Sequence, residues 1–229
     1  MLKTTLKALL FTLVTFMSVA IISHFIGKGN VGIATPVQEI LLIIFSIGLI
    51  KYQKIDFRIK LPEPKKALQV FFISFFAGIS VMIITQLSMK FLLGETMHKE
   101  VHPLLKQLSG WEIFIYVFIL ASIAEELLFR GYLLNALSKL DITYIGKLKL
   151  SVLISALAFA CLHLGLLRAG ATPKFVAVIF IFTLSIGLIA GYFQKKYDNN
   201  VAYAILAHMG ANFISILTII LMHMAGIQM

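Results

Sequence analysis

The chain has 229 residues, of which 60% are hydrophobic and 13% charged, and its mean hydropathy is +0.97. A soluble domain carries about 25% charged residues, so a water-soluble fold is set aside in favour of a polytopic membrane protein. The formal charge of +10 does not speak for nucleic acid, because the basic residues sit in short clusters between apolar runs and form no single stripe.

Lys3 and Lys7 precede an apolar run that reaches Ile26 without an A-x-A-like cleavage site, which reads as a retained first helix. A hydrocarbon core of about 30 Å requires roughly 20 apolar residues per helix. Segments 6–26, 32–50, 67–93, 112–137, 150–168, 174–193 and 201–224 meet that length or approach it. Pro36, Gln38 and Glu39 interrupt the start of the second, and the third is long enough to tilt. Gly210, in the last, permits close packing or a local break. Lys51 to Lys66, with Pro62 and Pro64, is the clearest loop. The expected fold is an all-α transmembrane bundle of about seven spans, six to eight being compatible, in one integral-membrane domain over 1–229. With the N-terminus placed inside, 13 Lys and Arg residues fall on the inner side and 6 on the outer, and Arg130 stays in the membrane. A multi-pass protein of the cell membrane with a cytoplasmic N-terminus is therefore expected. Cys161 is the only cysteine, which excludes an intrachain disulfide, and it reads as a small buried residue.

Three of these helices carry polar groups that a purely structural span does not need. The fourth holds Glu125, Glu126 and Arg130. One acidic residue at a helix centre costs about 2.5–3.5 kcal/mol on insertion scales, and this segment keeps two. Glu126 and Arg130 share a face at i, i+4, while Glu125 points to a neighbouring one. The simplest division pairs Glu126 with Arg130 and leaves Glu125 free to act as a base. Two close carboxylates also disfavour double ionisation. A structural ion pair between helices is the competing reading.

The fifth helix carries His163, one turn after Phe159. The seventh carries His208, one turn before Asn212. Glutamate, two histidines and an asparagine supply a base, a proton donor or metal ligand, and oxyanion donors. There is no G-x-S-x-G and no H-E-x-x-H, so a zincin-type site on one helix is excluded. Two arrangements remain. Glu125, His163 and His208 form a His₂Glu set for Zn²⁺, or Glu125 and His163 hold a water directly.

The ordered set E-E-L-L-F-R (Glu125 to Arg130), F-A-C-L-H (Phe159 to His163) and H-M-G-A-N (His208 to Asn212) resembles the motifs E-E-x-x-x-R, F-x-x-x-H and H-x-x-x-N. These mark the CAAX prenyl protease and bacteriocin-processing family of intramembrane peptidases, also called the Abi family. The resemblance covers about residues 111–224, the expected catalytic core. It implies peptide-bond hydrolysis within the membrane by a helical bundle. Carried over, Glu125 activates water with help from His163, His208 and Asn212 stabilise the oxyanion, and Glu126 with Arg130 orders the site. It leaves the cofactor as none or Zn²⁺, and a metal-free site is preferred here. The implied partners are the lipid bilayer and a peptide or membrane-protein substrate. The preference for Lys over Arg, 17 against 3, hints at an AT-rich bacterial genome and hence at bacteriocin or pheromone processing, or self-immunity. A non-enzymatic bacteriocin-immunity protein and a small proton-coupled transporter are the alternatives.

Other polar residues are assigned elsewhere. Glu39 is placed near the membrane interface. His98 and His102, an i, i+4 pair, fall in a polar connection and are read as non-ligating. His24 and His223 lie near span ends, and Tyr52, Tyr144, Tyr197 and Trp111 read as interface anchors.

Overall fold

A computed structural model describes residues 2–93, 102, 107–142, 144–145 and 148–224. It is an all-α helical membrane bundle. The helices are α1 (Leu2–Gly27), α2 (Val31–Tyr52), α3 (Pro64–Leu93), α4 (110–136), α5 (Leu150–Leu162), α6 (Pro173–Lys196) and α7 (Val201–Met224). A two-residue antiparallel ribbon, β1 (Tyr144–Ile145) with β2 (Leu148–Lys149), joins α4 to α5. Five helices, α1, α2, α3, α5 with its extension to Leu167, and α6, are long and apolar enough to cross a membrane.

The bundle is built with its apolar surface outward. Leu10, Phe25, Phe76 and Phe91 are exposed, while Thr12, Thr15, Ser23, Ser46 and Ser74 are buried. Lipid tails are as apolar as leucine, so helices in a bilayer gain by close packing of small residues. The buried stripe of α1 shows this: Ala8, Thr12, Thr15, Val19, Ser23 and Gly27. Its hydroxyls meet their own helix, as in Thr12 Oγ1 to Ala8 O at 2.9 Å. The α1–α2 turn uses Lys28 and Gly29 at positive φ, and a Cβ on Gly27 would lie 2.6 Å from that of Ala34.

The α2 stripe facing the bundle is Thr35, Glu39, Leu42, Ser46 and Ile50. Glu39 is therefore buried, at 4% exposure, and the interfacial placement is corrected. Glu39 lies three residues before Leu42, close to one helical turn, so both lie on the side of α2 that packs against α4. Cys161 is also corrected: it is exposed and faces away from the bundle. It lies two residues from His163, so at about 100° per residue it occupies another side of α5.

In α4 the hydrogen bonding alternates. Gly110–Glu112 and Ser122–Glu126 are α-helical, whereas Ile113–Ala121 and Leu127–Leu134 are π-helical. Its start is fixed by a capping box in which Ser109 and Glu112 bond reciprocally. Wide i→i+5 turns recur at functional sites because they re-aim side chains. Here they flank the turn that carries both glutamates.

Gly210 does not break α7. It lets α7 approach α3, because a Cβ there would lie 2.3 Å from Phe71 O. His102 packs its ring edge against Phe175. His98 and the side chain of His223 lie outside the described residues.

Candidate active site

Helices α4, α5, α6 and α7 converge on one polar cluster. Glu126 and Arg130 are both fully buried, and Arg130 Nη1 donates to Glu126 Oε1 at 3.1 Å. Arg130 Nη2 donates to Gly187 O on α6 at 2.9 Å. Its guanidinium carbon lies 4.9 Å above the Phe159 ring. An arginine at bilayer depth is tolerated when its charge and its N–H groups have partners. Arg130 has a carboxylate, a carbonyl and an aromatic face, and only its Nε–H is buried without a hydrogen-bond partner among the described residues.

Gly187 makes this possible by lacking a side chain. A Cβ there would lie 2.8 Å from Arg130 Nη2 and 3.0 Å from Ala156 Cβ. Behind it, Gln194 Nε2 donates to Arg130 O at 3.2 Å and approaches Asn135 Oδ1 and Asn199 Oδ1. Gln194 thus fixes the backbone of the turn from which Arg130 projects.

His208 on α7 approaches both glutamates. Its Nδ1 is 3.0 Å from Glu126 Oε1, and its Nε2 is 3.7 Å from Glu125 Oε2. A carboxylate accepts, so Nδ1 carries the proton in the first contact. The second is too long for a direct hydrogen bond and is a close charge contact. Glu126 Oε1 thus accepts from Arg130 and His208 together. Glu125 retains 19% side-chain exposure; His208 is its ion-pair partner, and Glu39, Glu126 and Arg130 are close enough to act on it electrostatically.

His163 stands at the junction where α5 gives way to the 3₁₀ turn His163–Leu167. It therefore lies at the end of that helix. Its Nδ1 is 3.1 Å from Phe159 O. A carbonyl can only accept, so the proton sits on Nδ1 and the Nε2 lone pair is left for a ligand or a water. The Phe159 ring contacts both imidazoles, with centroids 4.9 Å from His163 and 5.6 Å from His208. Phe159 is the residue that sequence reasoning undervalued. Its signal was the motif F-A-C-L-H itself, in which the aromatic keeps a fixed place one turn before His163.

Asn212 lies one turn beyond His208. Its Nδ2 donates to Val117 O and to Ser122 Oγ, each at 3.1 Å. Both amide hydrogens are thereby engaged in tying α7 to α4. Ser122 and Gly187 were not singled out from the sequence, and only the assembled bundle reveals them.

The donors of a zinc site were tested against this arrangement. Glu125, His163 and His208 supply suitable atoms, but no group of three such side chains among the described residues comes close enough to hold one ion. The Phe159 ring abuts both imidazoles, and one nitrogen of each is already engaged.

No curated protein and no solved structure matches the chain. Residues 107–214, which run from the residues just before α4 into the middle of α7, match the family model described as type II CAAX prenyl endopeptidase Rce1-like. That segment holds every residue of the cluster just described, and over it the chain is similar to the Rce1-like type II CAAX endopeptidases, a family of peptide hydrolases.

Proposed function

We propose that the protein is an intramembrane endopeptidase that cleaves a peptide or a membrane-associated protein, with Glu125 as the base. The observation that carries this reading is the position of His208. Its ring meets Glu126 on one nitrogen and comes within 3.7 Å of Glu125 on the other.

In the proposed reaction a water lies between Glu125 and the two histidines. Glu125 takes its proton as the oxygen attacks the scissile carbonyl. The Nε2 lone pair of His163 accepts the water's other hydrogen and fixes its direction. His208, with a proton on Nε2, donates to the oxyanion, and Glu126 supports that cation through Nδ1–H. Glu125 then gives its proton to the amide nitrogen as the C–N bond breaks, leaving an amine and a carboxylic acid that loses its remaining proton to solvent. Asn212 positions α7 through Val117 and Ser122, and to donate to the oxyanion it would have to release one of those bonds. Arg130 neutralises Glu126 and holds it in register.

Two experiments bear directly on this. Purified Glu125→Gln and His163→Ala are expected to insert and fold yet form product at least about 10²-fold more slowly. Normal product formation by either variant removes the mechanism. For metal, elemental analysis of protein purified without chelator is paired with activity before and after chelation. Zinc in stoichiometric amount, whose removal and return track activity, replaces the scheme above with a metal-based one.

The family description names CAAX prenyl substrates. For this chain we favour bacteriocin or pheromone maturation, or self-immunity, supported by the lysine-rich composition. Comparing membrane and secreted peptides between wild type and Glu125→Ala tests this. Accumulation of a prenylated precursor alone rejects it.

A further inference from the structure

The α2–α3 connection and the α6–α7 turn lie 140 residues apart in sequence and are stitched together. Asn200 is the clamp. Its Oδ1 accepts from Lys60 N at 3.0 Å, and its Nδ2 donates to Lys60 O at 3.0 Å. Val201 N donates to Arg58 O at 3.1 Å, and Glu63 N donates to Tyr203 Oη at 3.2 Å. Arg58 Nη1 reaches Asp198 O at 3.4 Å. The turn closes through Asp198 and Asn199, at φ of 53° and 59°, a conformation that Asp and Asn tolerate better than most side chains.

These bonds frame an open pocket of about 540 Å³. Arg58, Lys60, Lys66 and Lys196 line it against two carboxylates, Glu63 and Asp198. Glu63 is already paired with Lys66. Lys60 and Lys196 have no carboxylate partner among the described residues. Lys196 rests instead among aromatic rings, 5.6 Å from the Tyr197 centroid. Its neighbour Lys195 shows the contrast, with Nζ 2.9 Å from Asp141 Oδ2. The cavity therefore keeps a surplus of positive charge although a carboxylate stands one residue's turn away. Tyr197 and Tyr203 lie ring to ring at 4.3 Å and give it an aromatic wall.

A fitting ligand is anionic, offers several acceptor oxygens to Arg58, Lys60 and Lys196 together, and lays a neutral part on the two tyrosines. Phosphate meets the first two conditions, because arginine and lysine bind it by fork and by point charge. The cavity lies where α3, α6 and α7 leave their apolar stretches. That is the depth at which lipid phosphates meet juxtamembrane cations and interfacial tyrosines. Ordinary surface lysines would satisfy the charge condition alone. The five cross-connection hydrogen bonds hold this backbone in place before any ligand arrives.

We propose that this pocket binds the phosphate of an anionic headgroup. The full chain, purified in neutral detergent, is titrated with short-chain phosphatidylglycerol, with the matching phosphatidylcholine and with inorganic phosphate. Bound ligand is counted by native mass spectrometry. The expected result is one saturable phosphatidylglycerol per chain, bound about tenfold or more weakly by Arg58→Gln/Lys60→Gln/Lys196→Gln. Arg168→Gln/Lys174→Gln, at the opposite end of the bundle, should bind like wild type. The unfolding transition of each variant is measured alongside, and Lys60→Gln alone, which spares every backbone stitch, should already weaken binding. Retention that resists inorganic phosphate identifies a lipid as the source. Displacement by phosphate alone identifies the free ion, and the site stands in both cases. Equal retention by wild type and folded triple variant overturns the proposal, as does equal retention of phosphatidylcholine. Tighter binding of an acidic peptide than of either phosphate source also overturns it.

Discussion

Glu125 and Glu126 are consecutive on α4, yet one lies on the open side of the site and the other on the closed side. On the closed side, Glu126 Oε1 accepts from Arg130 and His208, and Arg130 continues to Gly187 O. On the open side, Glu125 keeps 19% exposure and stands 3.7 Å from His208 Nε2. The difference shows how a bilayer protein can hold a reactive acid. The costly charge is buried where Arg130 and His208 pair with it through Oε1, and the paired group then orients the imidazole toward the more open one.

The most severe break in this comparison is Glu125→Gln. It should lower cleavage by about 10²–10⁴-fold with an unchanged unfolding transition, both read on purified protein in detergent. Next is Arg130→Met, which strands Glu126 without its cation. It should destabilise the fold by about 3–5 kcal/mol, measured by denaturant unfolding, and Glu126→Gln added to it should restore part of the loss. Gly187→Ala is expected to cost about 1–3 kcal/mol by overpacking, since the new methyl meets both Arg130 and Ala156. Asn212→Ala should have the smallest effect on stability, about 0.5–1.5 kcal/mol for each lost hydrogen bond. If its catalytic defect equals that of Glu125→Gln while stability is unchanged, Asn212 donates to the oxyanion directly and belongs on the open side.

Much of this was legible in advance where a single helix decides the matter. The apolar runs mark the helices within a few residues, because spanning length is set by bilayer thickness. The Glu126–Arg130 pair follows from i, i+4 spacing. Contacts between helices were hidden. His208 and Glu126 are 82 residues apart, and nothing local states which nitrogen meets which oxygen. Glu39 looked interfacial because Pro36 and Gln38 surround it, but the rotation of α2 turns it inward with Leu42 and Ser46. Cys161 looked buried because its whole segment is apolar. In a bilayer, an apolar residue is as much at home against lipid as against protein, so hydropathy does not tell inside from outside. The π turns of α4 likewise have no sequence signature that periodicity would detect.

The contact between Gly210 and Phe71 O bears on how small a working unit of this molecule can be made. All of the motif residues lie on α4, α5 and α7, and a fragment beginning at residue 107 would carry every one of them. Such a fragment would nevertheless expose the flank of α7 that is shaped to admit a bare backbone carbonyl from α3. No lipid chain reproduces that surface. Anyone trimming the protein for engineering should therefore keep α3, although it supplies no reacting group. Co-expressing residues 2–93 with the remainder as separate pieces is the sounder route to a divided enzyme.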